Sequence, residues 1–378
     1  MKPSKPTKHS TLTKRSPPIR KRNPDTPGRY AVDYMDHAPV WQGPIFAAGL
    51  FRPTQNGAAA VPIEVRFAST ADGSDVRYRL VSQEALNITD QAVYFHLCQR
   101  IAAGNCVPLS REHGRFEAYR EMLGTTGPWE SKTMSVVIAT PSDIASGIGL
   151  TRTGTNAKAI LASLNRLSQT FLQLRMWDEK GGAVVEGSSQ FLGFLCYDDK
   201  VHIVLHHQSD QLANTRKGVA WINMREHRGL HTKPAKRLHA WLSAWASAGS
   251  RKLVGLDKLM VCVWGEVPTT PAVRKDRKRT LRQAIEQVGR LPGWTCVYTQ
   301  NADQLLVARP AFAGTKAQQG TLPSNLENSS AALAATHTDH AGTPTPSAGT
   351  ATGGAATPTA DQLEPACSAD SEELWFAL

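Results

Sequence analysis

The feature that most constrains the fold of this chain is an order of patterned segments that occurs twice. The second copy has apolar positions at helical or strand spacing, bounded by turn residues. Its segments are a helix at 233–249, the short strand "RKLV", helices at 256–265 and 270–290, and a hairpin at 294–310 that turns at Asn301-Ala302-Asp303. This is the order of a winged helix-turn-helix, in which the third helix enters the DNA major groove.

The first copy repeats this order over a longer stretch. Its segments are a helix at 87–104, a loop-rich insert at 104–131, the strand "MSVVIA", helices at 140–150 and 153–170, the strand "FLQLRMW", and "QFLGFLCYDDKVHIVLHH", which folds back at Asp198-Asp199. We therefore predict an α+β fold with two tandem winged-helix domains, at 41–225 and 226–310.

The third helix of the second copy carries its charge at the unfavourable end. Thr270 is suited to cap this helix, and Pro271 suits its first position. The first three turns hold six cations: Arg274, Lys275, Arg277, Lys278, Arg279 and Arg282. A helix N-terminus already has partial positive charge and free N–H donors, so cations there do not stabilise the fold. DNA phosphates would meet both kinds of donor, which favours a DNA contact over a solvated basic face.

The six cations divide by their position around the helix. Lys275, Arg279 and Arg282 lie opposite the apolar face formed by Leu281, Ala284, Ile285 and Val288, and we predict that they read base edges. The other three lie nearer that face and are predicted to bind phosphate. By analogy, the third helix of the first copy offers four further candidate DNA contacts: Arg152, Thr153, Asn156 and Lys158. Ordinary capping and surface roles remain open for those four.

Charge is distributed unevenly along the chain. The net charge of +11 favours a polyanionic partner. Residues 1–40 are Pro-rich and basic, and are predicted to be a disordered arm. Residues 311–378 are rich in Ala, Thr, Gly, Ser and Pro, and are predicted to be an acidic, flexible tail. The tail ends in "SEELWFAL", which is either a stray apolar terminus or a peptide that docks another protein.

Signatures of enzymes are missing from the sequence. There is no G-x-x-x-x-G-K-[ST] loop for ATP, and no carboxylate cluster suggests a two-metal site. His202 and His206 are four residues apart on a predicted strand, which does not match the paired-histidine metal motif of rolling-circle nickases. We therefore predict a non-enzymatic protein with no catalytic residues, no metal site and no cofactor.

Packing roles account for the remaining conspicuous residues. Trp241, Trp245 and Trp264 have core-like spacing, and the six cysteines show no paired short spacing, which indicates reduced thiols. No apolar run reaches the length of a transmembrane helix, and the N-terminus lacks a hydrophobic signal core. These features predict a soluble intracellular protein that has no contact with a membrane.

Several segments, in order, resemble the RepC-type replication initiators of IncQ-like plasmids. They are "GLFR" (49–52), "KRLHAWLSAW" (236–245), "LDKLMVCVWG" (256–265), "RKDRKRTLRQAIEQVGRLPGW" (274–294) and "ARP" (308–310). The resemblance implies two winged-helix modules that bind direct repeats (iterons) in the double-stranded DNA of a plasmid origin. It also implies opening of an AT-rich segment and recruitment of a plasmid helicase and primase. The 104–131 insert and the tail depart from the family pattern.

Two other functions remain open at this point. A winged-helix transcriptional regulator would share the fold, but a single-module regulator reads a palindrome as a dimer, whereas two modules in one chain read an asymmetric repeat. An origin nickase or primase is the second alternative. Relaxed or covalently linked products from supercoiled origin DNA and a divalent metal would reveal it.

Overall fold

The computed structural model describes residues 36–53, 63–71, 74–109, 114–124, 134–177, 183–216, 218–299 and 303–312. These residues belong to one compact unit. The predicted tail beyond residue 312 and the predicted arm up to residue 35 lie outside them. Strand β1 begins at His37, so the last residues of the predicted arm, 37–40, are part of the folded protein.

The second copy contains the predicted elements. They are α8 (Lys233–Trp245), β13 (Arg251–Gly255), α9 (Leu256–Trp264), α10 (Pro271–Gly289), β14 (Thr295–Tyr298) and β15 (Gln304–Ala308). The three strands form an antiparallel sheet in the order β13-β15-β14. Strand β15 therefore pairs with both of the others, so the hairpin is joined to the short strand that precedes α9.

The first copy also contains its predicted helices and hairpin. The corresponding elements are α2 (Ile88–Ala102), β7 (Met134–Ala139), α4 (Pro141–Gly147), α5 (Gly154–Ser168), β10 (Leu192–Tyr197) and β11 (Lys200–Leu205). Strand β11 pairs with both β10 and β7, so the order β10-β11-β7 repeats the order of the second copy. Asp198 and Asp199 form the two-residue turn with positive φ values, as the sequence predicts for a tight hairpin.

Two features of the first copy go beyond what the sequence predicts. The strand "FLQLRMW" is β8 (Thr170–Trp177), and it does not join the hairpin. It lies in a separate antiparallel sheet, ordered β3-β4-β8-β9, with β3 (Ile63–Ala71), β4 (Ser74–Ser82) and β9 (Ala183–Gln190). The 104–131 insert is not only loop, because it contains β6 (Val107–Leu109), which pairs with β7, and α3 (Phe116–Leu123). Strands β8 and β6 pair with strands that are distant in sequence, and a local pattern does not reveal such pairing.

The N-terminal described residues connect the two copies. They form β1 (His37–Trp41), α1 (Gln42–Phe46) and β2 (Phe51–Arg52). Strand β1 pairs with β12 (Val219–Asn223), which follows α6 (His207–Thr215), and β2 pairs with β5 (Leu86–Asn87) at the start of α2. Helix α7 (Met224–Gly229) then leads into α8. The predicted boundary between residues 225 and 226 lies within α7.

Two main apolar cores stabilise these elements. One joins the N-terminal segment, α2, α5 and the first hairpin, and includes Tyr94, Ile160 and Leu172. The other joins α8, α9, α10 and the second sheet, and includes Trp241 and Leu281. The predicted packing roles of the three tryptophans are confirmed, because Trp245 and Trp264 pack against this second core.

Candidate nucleic-acid interface

Helix α10 is exposed along its charged start and anchored by its second half. Residues 271–276 are exposed, whereas Leu281, Ala284, Ile285 and Val288 are buried in the second core. Thr270 occupies the N-cap position and Pro271 the first turn, as predicted, but the Thr270 side chain makes no capping hydrogen bond. The first N–H groups of α10 are therefore not capped by that hydroxyl.

Three of the six cations pair with carboxylates on neighbouring elements. The pairs are Arg274 with Asp257 of α9 (2.7 Å), Arg277 with Glu266 of the α9–α10 turn (3.5 Å), and Lys278 with Asp303 before β15 (3.9 Å). These are the cations that the sequence places nearer the apolar face. The carboxylates are 54%, 66% and 79% exposed, so water screens the pairs and a phosphate could replace them at small cost.

The other three cations make no ion pair with another element in the part of the chain that the structure describes. Lys275, Arg279 and Arg282 are all exposed. Arg279 donates to Asp276 of the same helix at 2.5 Å, and its side chain is 74% exposed. Three cations thus pair with neighbouring elements and three do not, and the assignment of either group to bases or phosphates stays a prediction.

An open groove runs beside these cations. It has a volume of about 1230 Å³, and its lining combines α10 with the neighbouring strand β14. The lining residues include Lys275, Arg279 and Arg282 from the helix and Cys296 and Tyr298 from the strand. A groove with a cationic wall and an aromatic side chain is suited to a polyanion that also has flat, apolar surfaces.

The strand side of the groove is chemically unreactive. Burial raises the pKa of the Cys296 thiol to about 12, so the thiolate nucleophile does not form near neutral pH. Burial also raises the pKa of Tyr298, which the nearby Arg282 opposes. The Tyr298 hydroxyl is therefore protonated and can donate a hydrogen bond.

The candidates of the first copy lie together at the start of α5, where three of them make contacts with nearby residues. Thr153 is the N-cap and accepts a hydrogen bond from the Asn156 backbone N–H at 3.2 Å. The Asn156 side chain donates to the Thr151 carbonyl at 2.8 Å. Arg152 pairs with Asp143 at 3.1 Å, and Lys158 is exposed. The capping alternative is thus realised for Thr153, and only Lys158 offers a cation that carries no ion pair among the described residues.

The histidines of "HIVLHH" occupy structural positions. His202 lies on β11, where Nδ1 is 2.9 Å from the Tyr119 hydroxyl. The prediction that His206 lies on the same strand is wrong, because β11 ends at Leu205 and His206 caps α6. Burial lowers the pKa of His206 to about 3. Within the described ranges, no group of three or more His, Cys, Asp or Glu side chains is arranged to hold a metal ion.

Sequence patterns do not identify several residues that shape the interface. The carboxylates of Asp257, Glu266 and Asp303 come from three separate segments, and only the fold brings them to α10. Tyr298 lies in a strand, and only the alternation of side chains along that strand indicates which face the residue lies on.

In the part of the chain that the structure covers, no helix is long and apolar enough to cross a membrane.

The chain matches one family of known proteins over most of its length. The family described as replication protein C (RepC) matches residues 30–311, which is more than half of the chain. This chain therefore belongs to the RepC family of replication proteins. No curated protein matches the chain.

Solved structures with a similar outline include two of the protein RctB. One is a crystal structure of RctB domains 2-3, with 13% identity over 71% of this chain and 96% of that chain and a TM-score of 0.43. The other is a selenomethionine derivative of domains 2 and 3, with 12% identity over 68% of this chain and 94% of that chain and a TM-score of 0.43. A likeness of this extent does not identify a function.

Proposed function

We propose that this chain initiates replication of a plasmid by binding double-stranded DNA at the origin. The observation that carries the proposal is α10: six cations crowd its first half, its second half is buried, and a groove runs beside it. Cations at a helix start lower stability, and an anionic partner supplies the reason for them. Membership of the RepC family supports a role in replication.

In this proposal both copies are winged-helix modules. Helices α9 and α10 form the helix-turn-helix of the second module, and β14 and β15 form its wing. Helices α4 and α5, with β10 and β11, have the same place in the first module. The shared strand orders β7-β11-β10 and β13-β15-β14, in which the second strand of each hairpin is central, support this interpretation. The third helix of such a module enters the major groove by its N-terminal part.

The charged side chains of α10 have two roles in DNA recognition. Lys275, Arg279 and Arg282 face away from the core and are assigned to base edges. Arg274, Arg277 and Lys278 are assigned to phosphates, for which they exchange their exposed carboxylate partners. In the first module, Lys158 and Arg152 are assigned to the backbone, while Thr153 and Asn156 hold the start of α5 in place.

The family membership extends the proposal to the steps after binding. The sites are direct repeats (iterons) beside an AT-rich segment, which the bound protein opens. A plasmid helicase and a primase are then recruited in the bacterial cytoplasm, and the acidic-apolar peptide of the 311–378 tail docks one such protein. The chain itself acts without catalysis, metal or cofactor.

Footprinting on the source replicon tests this function. Protection of tandem direct repeats by the purified protein is the expected result, with two adjacent major grooves protected by one chain. Protection of a palindrome over a promoter would instead identify a transcriptional regulator, and the absence of sequence-specific protection would refute the proposal.

A further inference from the structure

The turn before each third helix contains a glycine that contacts the opposite half of the protein. In the second copy, Gly265 ends α9 with a φ of +92°, and in the first copy Gly149 follows α4 with a φ of +88°. L side chains rarely adopt such φ values, so glycine is the residue suited to both turns. Each turn leads directly into the helix that carries the candidate DNA contacts.

The turn at Gly265 touches the N-terminal segment at the level of the backbone. A methyl group added at Gly265 would lie 2.7 Å from the Cα of Gly49 and 3.4 Å from Nε of Arg52. Gly49 has a φ of +83°, and its carbonyl accepts a hydrogen bond from Arg52 Nε at 2.9 Å. The motif "GLFR" therefore forms a closed loop that packs against the α9–α10 turn.

The turn at Gly149 is held from the other side. Arg228 of α7 donates to the carbonyl of Gly147 at 2.8 Å. Its aliphatic carbons would lie 3.2–3.3 Å from a methyl group added at Gly149. Helix α7 is bound in turn to the second copy, because Glu226 accepts hydrogen bonds from His239 Nε2 and Trp294 Nε1, both at 2.9 Å.

Further contacts link the "GLFR" loop to α5. Strand β2 of this loop pairs with β5, and β5 ends at Asn87, the N-cap of α2. Asp90 in the first turn of α2 accepts two hydrogen bonds from Arg166 of α5, at 2.7 and 3.0 Å. On the second side, the buried Arg237 of α8 donates to the Ile45 carbonyl at 2.7 Å. A chain of backbone contacts and part-buried polar contacts thus runs from α5 to α10.

We propose that the packing of Gly265 against Gly49 and Arg52, and of Arg228 against Gly149, fixes α5 and α10 in one relative placement, so that a single chain accepts one spacing between two DNA half-sites. This inference rests on the proposed function, since it assumes that both helices read DNA. Arg52 and Arg228 do not touch DNA in it. They hold the two turns in place, and the position of each turn determines where the following helix begins.

Distances between spin labels test the positioning without DNA. Labels are attached at Lys158→Cys of α5 and Lys275→Cys of α10, in a chain whose Cys106, Cys196, Cys296 and Cys367 are serine. One narrow distance distribution is expected, and it should broaden in Gly265→Ala and in Arg228→Met. The matched controls are Gly104→Ala, which has a similar φ of +77° but no neighbour within 4 Å, and Arg225→Met, an exposed residue of the same helix as Arg228. The inference would be overturned if the distance distribution broadened equally in the test and control variants, or if it broadened in none of them.

Binding to spaced duplexes tests the consequence. Five base pairs inserted between the two half-sites of an origin repeat turn one half-site by about half a helical turn. Two linked modules bind more tightly than one only when both can contact the duplex at the same time. The unmodified protein should therefore bind the duplex with the insertion about 100-fold more weakly than the native repeat. The ratio of the affinity for the native repeat to that for the duplex with the insertion should fall below about tenfold in Gly265→Ala and Arg228→Met. It should remain near 100-fold in both control variants.

The two outcomes separate the two proposals. An unmodified protein that binds the repeat no better than a scrambled duplex refutes the proposed function, and the label distances still decide the positioning role. A protein that prefers the repeat, but whose Gly265→Ala and Arg228→Met variants keep the full spacing penalty, refutes the positioning role alone. Arg228→Met is the milder variant, because its aliphatic chain can still cover Gly149.

Discussion

Replacing Arg166 by Ala should destabilise the first core strongly, because it leaves a buried carboxylate without its partner. The Asp90 side chain is fully buried and the Arg166 side chain is 20% exposed. Breaking such a pair costs about 3–5 kcal/mol. Asp90 still accepts a hydrogen bond from the Asn87 backbone N–H at 2.7 Å, so we expect a value near the lower limit, about 3 kcal/mol. The midpoint of thermal unfolding should then fall by roughly 6–12 °C.

Arg79→Ala is the matched control for this prediction. Arg79 makes an ion pair of similar length with Glu64, at 2.6 Å, but its side chain is 45% exposed. Water screens an exposed pair, so the midpoint should hardly change. Urea unfolding followed by circular dichroism measures both variants, and the single variant Asp90→Asn together with the double variant Asp90→Asn/Arg166→Ala closes a thermodynamic cycle. A loss in Arg166→Ala no larger than that in Arg79→Ala would refute the reasoning.

Three further results are expected. Burial lowers the pKa of His96 to about 4 and that of His206 to about 3, so the unfolded chain takes up protons first below pH 6.5 and stability is lost as the pH falls. The fully buried His227, whose pKa burial also lowers, adds to this loss, whereas Asp210, whose pKa burial raises to about 6, changes stability in the opposite direction. Denaturant titrations should give a net loss of about 3 kcal/mol between pH 7 and 5.5. Gly147→Ala should cost about 1–3 kcal/mol in the same assay, since its methyl group would lie 2.3 Å from the His96 ring; an unchanged midpoint would contradict that packing. Removal of residues 313–378 should leave origin binding intact and weaken only steps that need another protein, and a loss of specific DNA affinity would contradict the docking role of the tail.

Local patterns predict the helices well and the sheets only in part. The spans of α8, α9 and α10 follow from apolar positions three and four residues apart, and the hairpin at Asp198-Asp199 follows from its turn residues. The sheet that contains β8 does not follow, because β4 and β8 are far apart in sequence and pair only in the folded chain. Strand pairing depends on such distant partners, and one sequence does not contain that information in any local window.

The candidate site shows the same division. The cations of α10 and their two faces can be recognised in the sequence, because a helix has a fixed period. The carboxylates that pair with Arg274, Arg277 and Lys278 cannot, since they come from three segments. In the first copy, Thr153 and Asn156 are suited to either capping or base contact, and only the fold reveals the hydrogen bonds that they make.

Binding titrations at several salt concentrations test the role of α10 most directly. The six single alanine variants are measured on the native repeat and on point variants of it. Arg274→Ala, Arg277→Ala and Lys278→Ala should each lower the slope of log affinity against log salt by about one unit, on all sequences. Lys275→Ala, Arg279→Ala and Arg282→Ala should each cost roughly 1–3 kcal/mol at one base position, with thermal stability unchanged or slightly raised. Unchanged affinity in all six variants would contradict the assignment and make the cations a solvated face.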